Sequence, residues 1–288
     1  MRVERTRSGV RRALVELGAA KRTVGLVPTM GYLHDGHLSL LEASVARCDL
    51  TVMSLFVNPT QFRPGEDLDR YPRDEERDLE VAEAAGVDLV YAPEPGEVYP
   101  EGFCTYVSVE GLTDVLCGGP ESRGRDHFRG VTTVVCKLLN TVGPDYAFFG
   151  RKDAQQAIVI SRMVGDLDLP VEIVSLPTIR DPDGLALSSR NAYLDPSERE
   201  RALAISRALG RIELAAEGGE DLRAALEGAR EELAAEQIEP EYLEARDARD
   251  LSPIDRFNGQ PVLVAVAAPV GETRLIDNVL IPPRPMEG

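Results

Sequence analysis

Histidine is scarce in this chain of 288 residues: only His34, His37 and His127 occur. No third ligand lies beside the His34–His37 pair, so a metal centre built on imidazoles is not expected. The four cysteines, Cys48, Cys104, Cys117 and Cys136, lack any C-x-x-C spacing. That argues against a zinc site or a redox dithiol, and each reads as a small apolar filler in a reducing compartment. No apolar run reaches the length of a membrane span, and no membrane partner is expected. Cations are in deficit: 32 Lys and Arg against 49 Asp and Glu leave a formal net charge of −17. Binding to nucleic acid irrespective of sequence needs a surplus of cations, so no nucleic-acid partner is expected. The same field repels any small anion, and an anionic ligand would need a local positive cluster. No internal repeat is apparent.

What is present reads as a folded, soluble chain. Hydrophobic residues make up 43% and charged residues 28%, which is ordinary for globular proteins. The length suits two domains, or one large domain with an appendage. The Arg-rich start, "MRVERTRSGVRRALVELG", is interrupted by Glu4 and Glu16, and Val10, Leu14 and Leu17 share one helical face. An N-terminal amphipathic helix fits better than a transit peptide, and the cytoplasm is the expected compartment.

Apolar runs then alternate with helical patterns. "TVGLV", "LTVMSLFV", "VDLVYA", "YAFFG" and "VEIVSL" read as strands. Between them lie helical patterns in "HLSLLEASVARC", "RDEERDLEVAEAAG", "VTTVVCKLLNTV" and "AQQAIVISRMVGDL". The strands are continuously apolar rather than alternating, which means burial on both faces and predicts a parallel, doubly wound α/β sheet. After "TIRDPDGLALSSRN" the character changes. Two Ala/Glu/Arg-rich helices and then the strands "EYLEARD", "PVLVAVAAPV" and "TRLIDNVLI" suit a smaller C-terminal α+β domain. The boundary is placed near residue 178, giving 1–178 and 179–288.

The stretch "VPTMGYLHDGH", Val27 to His37, joins a strand to a helix expected to begin near His37. Ligands of such sheets sit at the carboxyl ends of the strands, and phosphates favour helix N-termini. Glycine at 31 and 36 lets the backbone approach a ligand. His34 and His37 share a face if that turn is helical. Two converging donors there could bind ATP phosphates and stabilise charge on departing pyrophosphate. Standing alone, H-x-G-H reads equally as a polar turn.

Further blocks follow in order: "SLFVNPTQF", "DLDRYPR", "HFRGVTTVVCKLLN", "FFGRKDAQQ" and "DGLALSSRN". Together with "VPTMGYLHDGH" they resemble the pantoate–β-alanine ligase family of the nucleotidylyltransferase superfamily. The match is strong from about Val24 to Asp195, looser through the helical tail, and returns at "RLIDNVLI". The resemblance implies a Rossmann-like nucleotidylyltransferase domain and ATP-dependent joining of pantoate to β-alanine through a pantoyl adenylate. It implies a homodimer as well. Met30, Gly31, Tyr32, Leu33, His34, Asp35, Gly36 and His37 would then surround ATP, with both imidazoles on its phosphates. Gly150, Arg151, Lys152 and Asp153 would add to the ATP site, Lys152 as the phosphate cation and Asp153 on the ribose or the lysine. Ile179 would present backbone groups to adenine. Leu187, Ser188, Ser189 and Arg190 resemble a mobile phosphate-binding loop, with Leu187 in place of the family's usual Met. His34, His37, Lys152 and Arg190 would carry the catalysis. Asn58, Gln61, His127 and Gln156 would bind pantoate, and Gln61 also β-alanine.

Mg²⁺ is expected with ATP, carried largely by its phosphates. Asp78 stands open as an outer ligand, and no protein metal ligand is assigned. One block departs from the family pattern: "ESRGRDHF" replaces R-P-G-H-F, so either Arg123 or Arg125 stands in for the substrate-facing arginine. The alternatives to the ligase are another nucleotidylyltransferase on the same fold and a catalytically silent nucleotide-binding protein.

Overall fold

Burial on both faces of the four inner strands sets the architecture of the first two-thirds of the chain, while the edge strands are partly exposed. In a computed structural model that describes residues 1–257 and 259–283, six parallel strands run in the order β1-β4-β3-β2-β5-β6. They are β1 (Arg2–Glu4), β2 (Val24–Thr29), β3 (Leu50–Leu55), β4 (Leu89–Tyr91), β5 (Tyr146–Gly150) and β6 (Glu172–Leu176). On one face Leu26, Val52, Leu89 and Phe149 join a core shared with α1 (Arg7–Glu16), α5 (Arg125–Val142) and α6 (Ala154–Asp166). On the other, Val27, Met53, Val90 and Phe148 pack with residues of α2 (Asp35–Arg47) and α3 (Glu75–Ala84). With both faces covered, these strands read as unbroken apolar runs. A short helix, α4 (Pro95–Val98), follows β4.

Three boundaries differ from the sequence reading. The N-terminus opens with the edge strand β1, paired to β4 at Arg2↔Leu89, before its helix begins at Arg7. Thr6 caps that helix by accepting from the Gly9 amide at 3.1 Å; three residues of strand are too few to leave a period in sequence. α2 begins at Asp35, with His34 as its N-cap. α5 begins at Arg125 rather than Val131, so His127 and Phe128 lie on its first turn instead of in a loop.

After β6 the chain forms α7 (Pro196–Gly218) and α8 (Leu222–Ala235), then an antiparallel sheet in the order β7-β8-β9. Its strands are Tyr242–Asp247, Val262–Val270 and Thr273–Ile281. In β8, Val262, Val264, Val266 and Ala268 face the core made with α7 and α8. The interleaved Leu263, Ala265 and Ala267 face the core of the parallel sheet. This strand is thus the seam between the two layers of apolar packing, and its period of two places one set of side chains on each.

The parallel sheet reverses its direction of growth at β2. From β2 the chain builds outward through β3 and β4, then returns by α5 to lay β5 and β6 on the opposite side. β2 and β5 pair only at Gly25↔Tyr146 and Leu26↔Ala147. Beyond those residues they part, opening a crevice at their carboxyl ends where such folds hold ligands. Leu26 is fully buried at that junction. Leu26→Ala is expected to lower the unfolding free energy by about 2–5 kcal/mol in urea denaturation; an unchanged midpoint would contradict this packing.

Candidate active site

The loop after β2 reaches the crevice through a left-handed turn. Gly31 has φ +86° and Tyr32 φ +52°. A Cβ on Gly31 would lie 2.8 Å from Leu55 Cδ1 and 2.9 Å from Asp78 Oδ2, so a side chain is excluded there by space and by conformation. The chain then enters α2 through a reciprocal cap. His34 Nδ1 accepts the Gly36 amide at 3.1 Å, and the His34 amide donates to His37 Nδ1 at 3.3 Å. The rings lie 4.1 Å apart, centroid to centroid. His34 sits just outside the helix and His37 at its third position, so the pair meets across the cap rather than along a helical face.

This geometry fixes the protons. An Nδ1 that accepts an amide hydrogen carries none itself, so a neutral ring bears its proton on Nε2. Both rings are held neutral. Burial, with Lys152 next, pushes His34 down to about 4. Burial, with His34 and Lys152 next, pushes His37 down to about 3. His127 is arranged the other way: its Nδ1 stands 2.7 Å from the Gln61 carbonyl oxygen and must donate, which leaves Nε2 as an acceptor. Burial, then Arg123, pushes His127 to about 3.

One cleft collects most of the residues singled out by sequence. Met30, His34, Gly36 and His37 line it from the β2 loop. Gly150, Lys152 and Asp153 line it from the end of β5. Ile179, Leu187, Ser188, Ser189 and Arg190 close one side, and Asn58, Gln61, His127 and Gln156 form another part of the wall. Others stand outside the lining. Leu33 is buried in the core beneath α2, Asp35 is exposed, and Gly31 packs on Leu55 and Asp78. The Arg77 guanidinium lies 5.7 Å above the Tyr32 ring. Arg151 turns away toward a groove against β8 and β9 and hydrogen-bonds the Ser175 carbonyl at 3.4 Å.

Arg123 and Arg125, equivalent in sequence, are separated in space. Arg123 lines the cleft, while Arg125 is exposed and paired with Asp114. Burial is the largest force against the Arg123 charge, followed by Arg190, with Glu66 opposing. Its Nε has no hydrogen-bond partner among the described residues. Asn58 is 1% exposed and its amide is fully used. It donates to the Gln61 Oε1 and the Gly130 carbonyl at 3.2 and 3.1 Å, and accepts from the Thr60 and Tyr99 hydroxyls at 2.9 and 2.8 Å. Gly130 of α5 is pressed on this turn; a Cβ there would stand 2.4 Å from the Thr60 carbonyl oxygen.

Several residues that shape the site carried no role in the sequence reading. Arg190 is held by Asp67 at 3.0 and 3.1 Å, and Arg123 by Glu66 at 2.6 Å. Lys152 faces Asp153 at 3.8 Å. The cleft cations are therefore each countered by a carboxylate, and an arriving anion must compete with Glu66 and Asp67. Tyr71 meets the Ser189 hydroxyl at 3.2 Å. From β9, Asn278 donates to the Arg151 and Lys152 carbonyls at 2.9 and 2.8 Å, and Asp277 holds Arg180 at 2.6 Å. Asp67, Tyr71, Asp277 and Asn278 all lie in "DLDRYPR" and "RLIDNVLI", whose order along the chain was the available signal. Asp78, open as a metal ligand, spends both oxygens on backbone: it accepts from the Tyr32 and Leu33 amides, each at 2.7 Å. Among the described residues no group of three or more His, Cys, Asp or Glu could hold a metal ion, and no helix is long and apolar enough to cross a membrane.

The crevice at a strand-order reversal, with imidazole donors at a helix N-terminus beside Lys152, defines a nucleotide-binding α/β enzyme. A family model described as pantoate-beta-alanine ligase matches residues 2–280. A pantothenate synthetase of Pelotomaculum thermopropionicum is 50% identical over 283 residues, 98% of this chain and 99% of that protein. The crystal structure of pantothenate synthetase from Thermus thermophilus superposes with a TM-score of 0.91 at 46% identity, covering 98% of this chain and 100% of that one. The pantoate–β-alanine ligase of Francisella tularensis, crystallised with βγ-ATP and β-alanine, gives 0.79 at 30% identity, over 97% of each chain. The chain belongs to the pantoate–β-alanine ligase family.

The depressed histidine values have a defined consequence. The unfolded chain takes up protons near pH 6.5, whereas the folded rings stay neutral to about 4, 3 and 3. Stability from these groups is complete above about pH 6.5 and is lost as pH falls toward the folded values. Imidazole NMR at pH 5.5 is expected to show all three rings neutral in the ligand-free protein; a midpoint near 6.5 for either ring of the cap would contradict the arrangement.

Proposed function

We infer that this chain joins pantoate to β-alanine at the expense of ATP, by way of a pantoyl adenylate. The observation that carries the reading is the shared cleft. His34, His37 and Lys152 line the cleft at the carboxyl end of the sheet, where folds of this kind hold phosphates, and Gln61 and Gln156 line the same cleft. Amides both donate and accept, which suits a ligand bearing hydroxyls and a carboxylate together.

In the first step a pantoate carboxylate oxygen attacks the α-phosphorus of ATP, and the bond to the β-phosphate oxygen breaks to release pyrophosphate. His34 and His37 donate to phosphate oxygens as charge shifts onto the leaving group. Lys152 and Arg190 supply positive charge, Arg190 once an anion displaces Asp67. In the second step the β-alanine amine attacks the acyl carbon, AMP departs, and the nitrogen loses a proton. Holding the partners in line supplies much of the acceleration, since effective molarities reach roughly 10⁵–10⁸ M in well-oriented systems. Of the two arginines, Arg123 is assigned to a substrate carboxylate, because its charge is buried and its Nε unpaired. Asn58 acts through Gln61, its own amide being committed. Gly31, Tyr32, Leu33 and Asp35 stand outside the lining, and the Tyr32 and Leu33 amides are spent on Asp78, so these residues are assigned the shaping of the loop rather than contacts to ATP. Mg²⁺ arrives as the companion of ATP, its charge met by phosphate oxygens.

A division near residue 178, a homodimer and a cytoplasmic location belong to the same proposal, on the strength of the family resemblance. Light scattering in solution tests the dimer.

Incubation with ATP, Mg²⁺, pantoate and β-alanine is expected to yield AMP and pantothenate by mass spectrometry. A dinucleotide-like product, or no AMP at saturating substrate, would overturn the reading. His37→Ala should slow adenylate formation roughly 10²–10³-fold with the fold retained. Arg123→Ala is expected to raise KM for a carboxylate substrate while Arg125→Ala leaves it unchanged; equal effects would reassign the arginine.

A further inference from the structure

Asp78 lies on the first turns of α3, behind the loop that carries the imidazoles, and is 1% exposed. Its two oxygens receive the amides of Tyr32 and Leu33, each at 2.7 Å. Those amides converge because Gly31 and Tyr32 both lie in the left-handed region, at φ +86° and +52°. Consecutive amides turned inward make an anion-binding concavity, and here the anion is a side chain of the protein itself. Its neighbour Arg77 grips the same loop through the opposite polarity, donating to the Leu33 carbonyl at 3.0 Å. The next residue is His34, whose amide and ring form the cap with His37. The carboxylate's short acceptor positions are thus spent on the loop. Burial raises Asp78 above its ordinary value against the pull of the two amides, so a charge that is costly to bury is kept in place.

We propose that Asp78 is a positioning residue: by locking the left-handed turn at Gly31–Leu33 it aims the Nε2–H groups of His34 and His37 into the cleft. This deepens the ligase reading and rests on it for its catalytic consequence, while the positioning itself is measured independently. The effect runs through backbone geometry, and a displacement of about 1 Å at such donors costs on the order of 10²-fold in rate.

The test is Asp78→Asn, which keeps the shape and one acceptor but turns an N–H toward an amide N–H. Only three histidines occur in the sequence, so three imidazole signals are expected and each can be assigned by substitution. In the parent protein at pH 7.5, ¹⁵N spectra should place the proton on Nε2 of His34 and His37 and on Nδ1 of His127. In Asp78→Asn the first two are expected to move toward mixed tautomers while His127, held from Gln61, stays as an internal reference. Adenylate formation should fall about 10²-fold with KM for pantoate unchanged, since Gln61 and Gln156 stand on other elements. Arg77 is exposed, so Arg77→Ala should fold and shift the same two signals by less, even where Asp78→Asn does not fold. Unchanged His34 and His37 signals in the folded variants would overturn the proposal. So would recovery of Asp78→Asn activity at high Mg²⁺ with those signals unmoved, which would make Asp78 a cation holder. Absence of AMP formation by the parent protein would sink the ligase reading and leave the spectra to decide the positioning.

Discussion

A protein with a formal net charge of −17 can gather a triphosphate and a carboxylate only where local donors outweigh the repulsion of the whole molecule. Everything about the crevice follows from that constraint. Its donors are assembled from the loop after β2, the turn after β5 and the segment around Ser188, so no single stretch of chain concentrates positive charge. Its imidazoles are neutral and contribute directed N–H groups, which suits a site that must release its product anions as well as bind them. Its arginines are already matched by Glu66 and Asp67, so an arriving anion must take the place of a carboxylate that the protein itself supplies.

The scaffold explains why those donors stay fixed. β2 and β5 part after Leu26 and Ala147, and the gap between them is lined by the ends of both strands and the segments that follow them. The third edge is held from afar. Asn278 in the last strand satisfies the carbonyls of Arg151 and Lys152, and Asp277 anchors Arg180 on the segment that leads to Leu187. The antiparallel sheet is therefore a buttress for the site, and β8, buried on both faces, binds that buttress to the parallel sheet.

Much of this was legible in sequence, and the omissions have physical causes. Continuous apolar runs announced the inner parallel strands because burial on both faces leaves no polar period; Glu172–Leu176 pairs as a strand too, but at the sheet edge it is partly exposed rather than buried on both faces. The short strand Arg2–Glu4 escaped because its residues are exposed to partly exposed and only backbone pairing defines it. The start of α5 is hidden in the sequence because "RGRDH" is polar; the helix runs through part of it since only its inner side meets the core. His34 and His37 were found through their spacing, but their tautomers and neutrality depend on a cap and on burial that spacing does not encode. Asn58 and Asp78 show the limit most clearly. Each is a polar residue beside a site, and only three-dimensional partners reveal that its hydrogen-bonding capacity is spent on the protein. Arg123 and Arg125, two residues apart, were indistinguishable until the turn into α5 placed one in the cleft and the other in solvent.

The most direct measurement is isotope exchange between labelled pyrophosphate and ATP, with pantoate present and β-alanine withheld. Activation of the acid as an acyl adenylate requires exchange that depends on pantoate and disappears without it. Exchange independent of pantoate, or none at all under conditions where both substrates together yield AMP, would contradict a cleft built to activate a carboxylate ahead of the amine.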